Sequence, residues 1–146
     1  MPGILVGIDG SAHSQQALEW AAKEAAIRHT SLTVLTVHQA VASYWGGVSH
    51  YQGDDELTAK ARDAAQAETD KVLAGLAGPR PDSVTVTAVH GFPVEEIINA
   101  GKDADMIVLG SRGAGGFARL MMGSVSSQVA HHAHCPVLIV PPEDHG

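Results

Sequence analysis

"GSRGAGGFARLMMGSVSSQVA", Gly110 to Ala130, sets glycines, serines and two arginines between an apolar run and a helix-like run. Glycine lets backbone N–H groups approach a ligand closely and tolerates positive φ. Successive N–H groups of this kind form a concave nest for an anion. Gly123-Ser124 then opens a helix, whose N-terminus favours negative charge through its free N–H groups and dipole. Ser124, Ser126 and Ser127 add hydroxyl donors, and Arg112 and Arg119 are the cations of the loop. Together these features suit a phosphate. No Gly-Lys-Ser/Thr follows, so the loop is not a Walker A motif, and Gly113, Gly115 and Ala118 miss the dinucleotide spacing. Taken alone, the stretch also reads as a flexible loop of small residues.

Outward from the loop, strands and helices alternate. "GILVGID" (3–9), "SLTVLTV" (31–37), "SVTVTAV" (83–89), "DMIVLG" (105–110) and "PVLIV" (136–140) read as five strands. Between them, 11–29 is Ala-rich at helical spacing with Ser11 as N-cap. Residues 54–78 place Leu57, Ala61, Ala64, Ala65, Val72 and Leu76 near one face. Residues 93–101 start on Pro93 with Glu95 and Glu96 in the first turn. A fourth helix is expected from about Ser124 to His132. This alternation predicts a doubly wound α/β domain: a five-stranded parallel sheet with helices on both faces.

Strand composition orders the sheet. The first and fourth strands are apolar on both faces and belong at the centre. The third sets Val84, Val86 and Ala88 opposite a threonine-rich face and suits an edge. Right-handed crossovers then favour the order 3-2-1-4-5. Winding reverses between strands one and four, and ligands bind beyond the carboxyl ends of strands at such a reversal. The turn "DGSAHS" (9–14) and the glycine-rich loop are therefore expected to face one crevice.

The remaining bounds are compositional. The chain has 146 residues, the length of one domain over 1–146. Nine Lys+Arg against sixteen Asp+Glu give −7, which disfavours nucleic acid and anionic membranes as partners. One cysteine, Cys135, allows no internal disulfide. The start "MPGILVGIDG" has no basic n-region, and no run approaches the ~18 apolar residues of a membrane span. The expectation is a cytoplasmic domain.

The chain resembles a known family on particular residues. Gly110, two residues, Gly113, nine residues and then Gly123-Ser124 match the G-x2-G-x9-G-S/T signature of ATP-binding universal stress proteins. The "VGIDGS" opening, the "VLTVH" second strand, "GFPVEEI" and the "HCPVLIVP" ending match as well. The resemblance implies an adenine nucleotide alpha hydrolase-like fold holding ATP, with magnesium as its metal. It implies that Asp9 lies near the ribose or a phosphate-bound metal and that Val37 reads the adenine edge through its backbone. Gly110, Arg112 and Gly113 would line the ribose and phosphates, and Gly123, Ser124, Val125 and Ser126 would hold the distal phosphates. Read without the resemblance, Val37 is ordinary core and Asp9 is a cap on the first helix.

Other constellations carry less. His131, His132, His134 and Cys135 resemble metal ligands, but adjacent residues on a helix point about 100° apart, and zinc wants four convergent donors. Asp9, Ser11 and His13 are neighbours in sequence, and nothing orients a base as a triad requires. Residues 39–53 lack periodicity and carry Tyr44, Trp45 and Tyr51, as expected of a lid, a partner surface or a mobile loop. No general base for water activation is evident, so the expectation is a nucleotide-dependent regulatory switch, not an enzyme. The alternatives are an ATP-consuming enzyme related to the ATP-pyrophosphatases, whose SGGxDS loop "DGSAHS" matches poorly, or a scaffold with a vestigial pocket. The uncharged final strand is expected to pair with a second copy as a homodimer.

Overall fold

The two uninterrupted apolar strands lie side by side at the centre of the sheet. The computed structural model describes residues 3–39, 42–43, 47–48, 54–111 and 123–141. β1 (Gly3–Ile8) leads into α1 (Ala12–Ile27), β2 (Ser31–Gln39), β3 (Ala42–Ser43), β4 (Gly47–Val48) and α2 (Asp54–Ala74). β5 (Ser83–Gly91), α3 (Pro93–Ala100), β6 (Met106–Gly110), α4 (Ser124–His132) and β7 (Val137–Val140) follow. The main sheet is parallel, in the order β5-β2-β1-β6-β7, which is 3-2-1-4-5 counted over its own strands.

Each face of the sheet carries its own core. On one face, Ile4, Val6, Leu32, Val34, Val86 and Val108 pack under α1 and α2. On the other, Leu5, Leu35, Ile107 and Leu109 pack with Ile97 of α3 and Val129 of α4. Period-two alternation of apolar residues on both faces is why β1 and β6 read as continuous apolar runs. α1 meets the sheet through Ala17, Ala21, Ala22 and Ala25, all fully buried, so small side chains let its backbone approach closely. Ser11 caps it, accepting from the Ser14 N–H at 3.2 Å.

Three features depart from the sequence expectation. The buried stripe of α2 runs through Ala65, Thr69 and Val72, while Leu57 is 47% exposed and Ala64 lies in solvent. Thr69 explains the rotation: its hydroxyl donates to the Ala65 carbonyl at 2.7 Å, which satisfies a polar group in a fully buried position. The helix also stops at Ala74, and the Gly75 N–H, shared between the Lys71 and Val72 carbonyls, closes its last turn. Within 39–53, Ala42–Ser43 and Gly47–Val48 pair antiparallel as β3 and β4. Two-residue strands fall below any periodic signal. Tyr44, Trp45 and Tyr51 lie outside the described residues, and so does the lid expectation built on them.

Candidate functional site

β1 and β6 are neighbours in register, with Ile4 opposite Met106 and Val6 opposite Val108. Continuing that register sets the turn after β1 beside the residues that leave β6. This is the reversal point of the winding, and both chain segments emerge at the carboxyl end of the sheet.

The first segment is a tight turn. Gly10 sits at φ 85°, a conformation glycine adopts without steric cost. The exposed Asp9 accepts from the Ser11 N–H at 3.0 Å through Oδ1, an Asx turn. Its own N–H donates to the buried Ser14 hydroxyl at 3.2 Å. Asp9 therefore shapes the helix entrance while Ser11 provides the cap. With the Ser11 oxygen engaged as a cap acceptor, a hydrolytic triad has no support here.

The second segment begins at Gly110, which pairs with Val140 of β7. Ser111 follows, and its N–H donates to the Val140 carbonyl at 3.0 Å. Its carbonyl accepts from the Gly123 N–H. That bond brings the end of β6 against the start of α4. Gly123 is the N-cap of α4, and Ser124, exposed, opens the first turn. By helix geometry the first N–H groups of α4 have no acceptor within the helix and point out of its N-terminus. His131 and His132 stand in its last turn, where cations suit the dipole.

The expected site residues divide by position. Asp9, Gly110, Gly123 and Ser124 are gathered at the reversal point. Val37 lies near the carboxyl end of β2, in register with Val89, and packs half-buried into the core under α3 and α4. Val125 packs into that same core through its side chain, leaving only its backbone for a ligand. Ser126 is 4% exposed, and its hydroxyl lies 3.0 Å from the Gly123 carbonyl and 3.5 Å from that of Ser111. It faces inward and braces the loop root, where sequence reading aimed its donor at a ligand. Arg112 and Gly113 lie outside the described residues.

Sequence reading missed Glu68 of α2. Burial pushes its carboxyl above the ordinary range, the charge of Asp9 pushes it further, and Lys71 opposes both. No local pattern links positions 9 and 68; only the fold brings their charges within range. A groove of about 490 Å³ lies elsewhere, between α1 and β7, lined by Trp20, Ile27 and Val140 among others. It lacks every expected site residue and is not the crevice.

Among the described residues, no group of three or more His, Cys, Asp or Glu is placed to hold a metal, and no helix is long and apolar enough to cross a membrane. Cys135 is half-buried, its Sγ 3.6 Å from the Gly101 carbonyl, and burial is the main cause raising its thiol pKa.

Comparison with known proteins agrees with this architecture. The sequence pattern of the universal stress protein family matches residues 2–141. A universal stress protein of Mycobacterium tuberculosis is 34% identical over 153 residues, covering 97% of this chain and 48% of the relative. One from Mycolicibacterium smegmatis is 33% identical over 143 residues, covering 97% and 49%. The chain thus spans about half the length of these relatives. Universal stress protein UspA from Lactobacillus plantarum superposes with a TM-score of 0.75 at 27% identity, covering 95% of this chain and 97% of that one. A universal stress protein in complex with cAMP gives 0.66 at 23% identity, covering 96% of each chain. The Archaeoglobus fulgidus protein in complex with dAMP gives 0.60 at 22%, covering 95% and 97%. By its fold and by a sequence match over nearly its full length, the chain belongs to the universal stress protein family.

Proposed function

We propose that the crevice binds an adenine nucleotide, ATP with magnesium, and that occupancy acts as a regulatory switch. The observation that carries this reading is the bond between Ser111 and Gly123, which sets the α4 N-terminus at the carboxyl ends of β1 and β6. A phosphate there meets helix N–H groups and the positive end of the dipole, which offsets a net charge of −7. Two relatives of the same fold are complexes with cAMP and dAMP, which supports adenine as the base. Gly110, Arg112, Gly113, Gly123, Ser124 and Val125 form the phosphate side in this reading. Val37 meets the base through its backbone, and Ser126 stands behind Gly123.

The residues present fit magnesium. The exposed Asp9 carboxylate is a hard oxygen donor, and magnesium is commonly held by one or two carboxylates with phosphates and water completing the shell. Bound there, the ion would neutralise phosphate charge. Among the described residues of the site no evident base is in place, so turnover is expected far below the ~10 s⁻¹ typical of enzymes. Association of two copies along β7 in the cytoplasm completes the proposal.

Calorimetric titration with ATP tests it. A side chain at Gly123 would obstruct the close backbone approach, so Gly123→Val should weaken binding by about tenfold or more, the loss of one or two charge-assisted hydrogen bonds. Equal affinity in the folded variant and the parent protein would remove the site from this crevice.

A further inference from the structure

We propose that His38 and His90 form a two-point site for a late first-row divalent cation such as zinc. The two residues are direct partners on neighbouring parallel strands, at the carboxyl ends of β2 and β5. Their ring centres lie 5.3 Å apart and the planes are tilted by 38°. Both are half-buried. Alternation along β2 and β5 puts Val37 and Val89 under α3 and α4, and therefore the two histidines on the opposite face, that of α1 and α2. The pairing itself does not rest on the nucleotide reading.

The spacing is compatible with a shared metal. A tetrahedral zinc holds imidazole nitrogens at ~2.0–2.1 Å, so each ring centre lies ~3.2 Å from the ion and two centres stand ~5 Å apart. The torsion that turns each ring is soft, and one nitrogen of each imidazole suffices as a ligand while the other keeps a second partner. Paired strands fix the two Cα positions, so the cost of converging two ligands is met by the sheet and not by a loop. Imidazole suits zinc, copper and nickel over calcium and magnesium. The net charge of −7 favours any cation. Among the described residues no third His, Cys, Asp or Glu joins them as a group. The remaining coordination positions are left, among the described residues, to water or to an exchangeable ligand, as in a binding site and not a closed structural centre.

The competing account is a ring contact alone, since imidazole pairs also pack with centres ~4.5–7 Å apart. Titration of the metal-free chain with zinc sulfate against a chromophoric zinc indicator separates the two. The parent protein should take up zinc, and His38→Asn and His90→Asn should each weaken that binding by about tenfold or more. A variant with both His131→Asn and His132→Asn should bind like the parent, because their rings, 6.4 Å apart, sit on successive residues of a helix. Gly123→Val should also bind zinc like the parent. A readout without substitution guards against misfolding: zinc should move or broaden the ring ¹⁵N resonances of His38 and His90 in the parent protein. Unshifted resonances at saturating zinc, or equal zinc affinity in both folded single variants, would leave a ring contact only and overturn the proposal.

Discussion

The Ser126 hydroxyl lies 3.0 Å from the carbonyl of Gly123, buried behind the residue whose N–H closes the loop onto Ser111. One side chain thus braces the junction from the inside while the first backbone N–H groups of α4 point out of its N-terminus. Removing the hydroxyl leaves the Gly123 carbonyl its other partner, the Ser127 N–H at 3.0 Å. Ser126→Ala should therefore destabilise by only about 1 kcal/mol, the net worth of one hydrogen bond. Thermal unfolding measures that loss. ATP titration should show a smaller drop than Gly123→Val causes. A loss as large as that of Gly123→Val would mean that Ser126 meets the nucleotide directly.

Glu68 gives a pH signature. Its carboxyl pKa is raised in the folded chain, by burial first and by Asp9 second. A raised native pKa means that the folded chain holds this proton more tightly than the unfolded chain. The resulting stabilisation is complete below the unfolded value of 4.5 and is lost as pH rises through the native value. Above the native value the ionised Glu68 is therefore a liability, and there Glu68→Gln, neutral throughout, should melt higher than the parent protein. Below about pH 4 the parent carboxyl is protonated and the two curves should converge. Asp9→Asn should lower the Glu68 pKa, seen by NMR titration of the side-chain carboxyl. An unmoved pKa would show that the two charges do not sense one another.

How far the sequence could be read depends on the range of each interaction. Strand order was legible because β1 and β6 bury both faces, which forces apolar residues at every position, whereas β5 at the edge retains Thr85 and Thr87. The α1 cap was legible because Ser11 bonds only three residues ahead. The face of α2 was not, since Thr69 counts as polar until its local bond to Ala65 is known. The same holds for Ser126: a serine in a first helical turn can aim its hydroxyl outward or back, and only the position of Gly123 decides. The charge of Asp9 felt at Glu68 and the pairing of His90 with His38 join residues more than fifty positions apart, so no spacing rule reaches them.

Gly7 reports on packing between the central strand and α3. A Cβ built there would lie 2.9 Å from Leu109 Cδ2 and 3.3 Å from Ile97 Cδ1. Both are ends of flexible side chains, so Gly7→Ala should be tolerated after a small shift. Gly7→Val adds two further methyl groups against the same core and should cost about 1–3 kcal/mol, the usual range for overpacking. Urea unfolding of the two variants gives the comparison. Equal stability of both would mean that α3 moves away from the sheet easily.

The edge at β7 yields the last prediction. β7 pairs with β6 on one side and, among the described residues, has no sheet neighbour on the other. The Pro136 carbonyl accepts from the Ile107 N–H and the Val140 carbonyl from the Ser111 N–H, both at 3.0 Å. In a parallel pair, alternate residues turn both backbone groups to the same side, so Pro136, Leu138 and Val140 face β6 while Val137 and Ile139 face outward. An open edge without charged residues recruits another strand. The simplest partner is the same strand of a second copy about a two-fold axis. Charge substitution is a poor probe, because Leu138 and Ile139 each pack against one of the two cores and a lysine would disturb the monomer as well. Proline is selective. Ile139→Pro removes an outward N–H and spares the ladder to β6, so it should leave a folded monomer. Leu138→Pro removes an inward N–H and should destabilise the sheet itself. Sedimentation velocity should give about twice 15.1 kDa for the parent protein and the monomer mass for Ile139→Pro. A parent protein sedimenting as a monomer would dismiss pairing through β7, and a dimer surviving in Ile139→Pro would place the interface elsewhere.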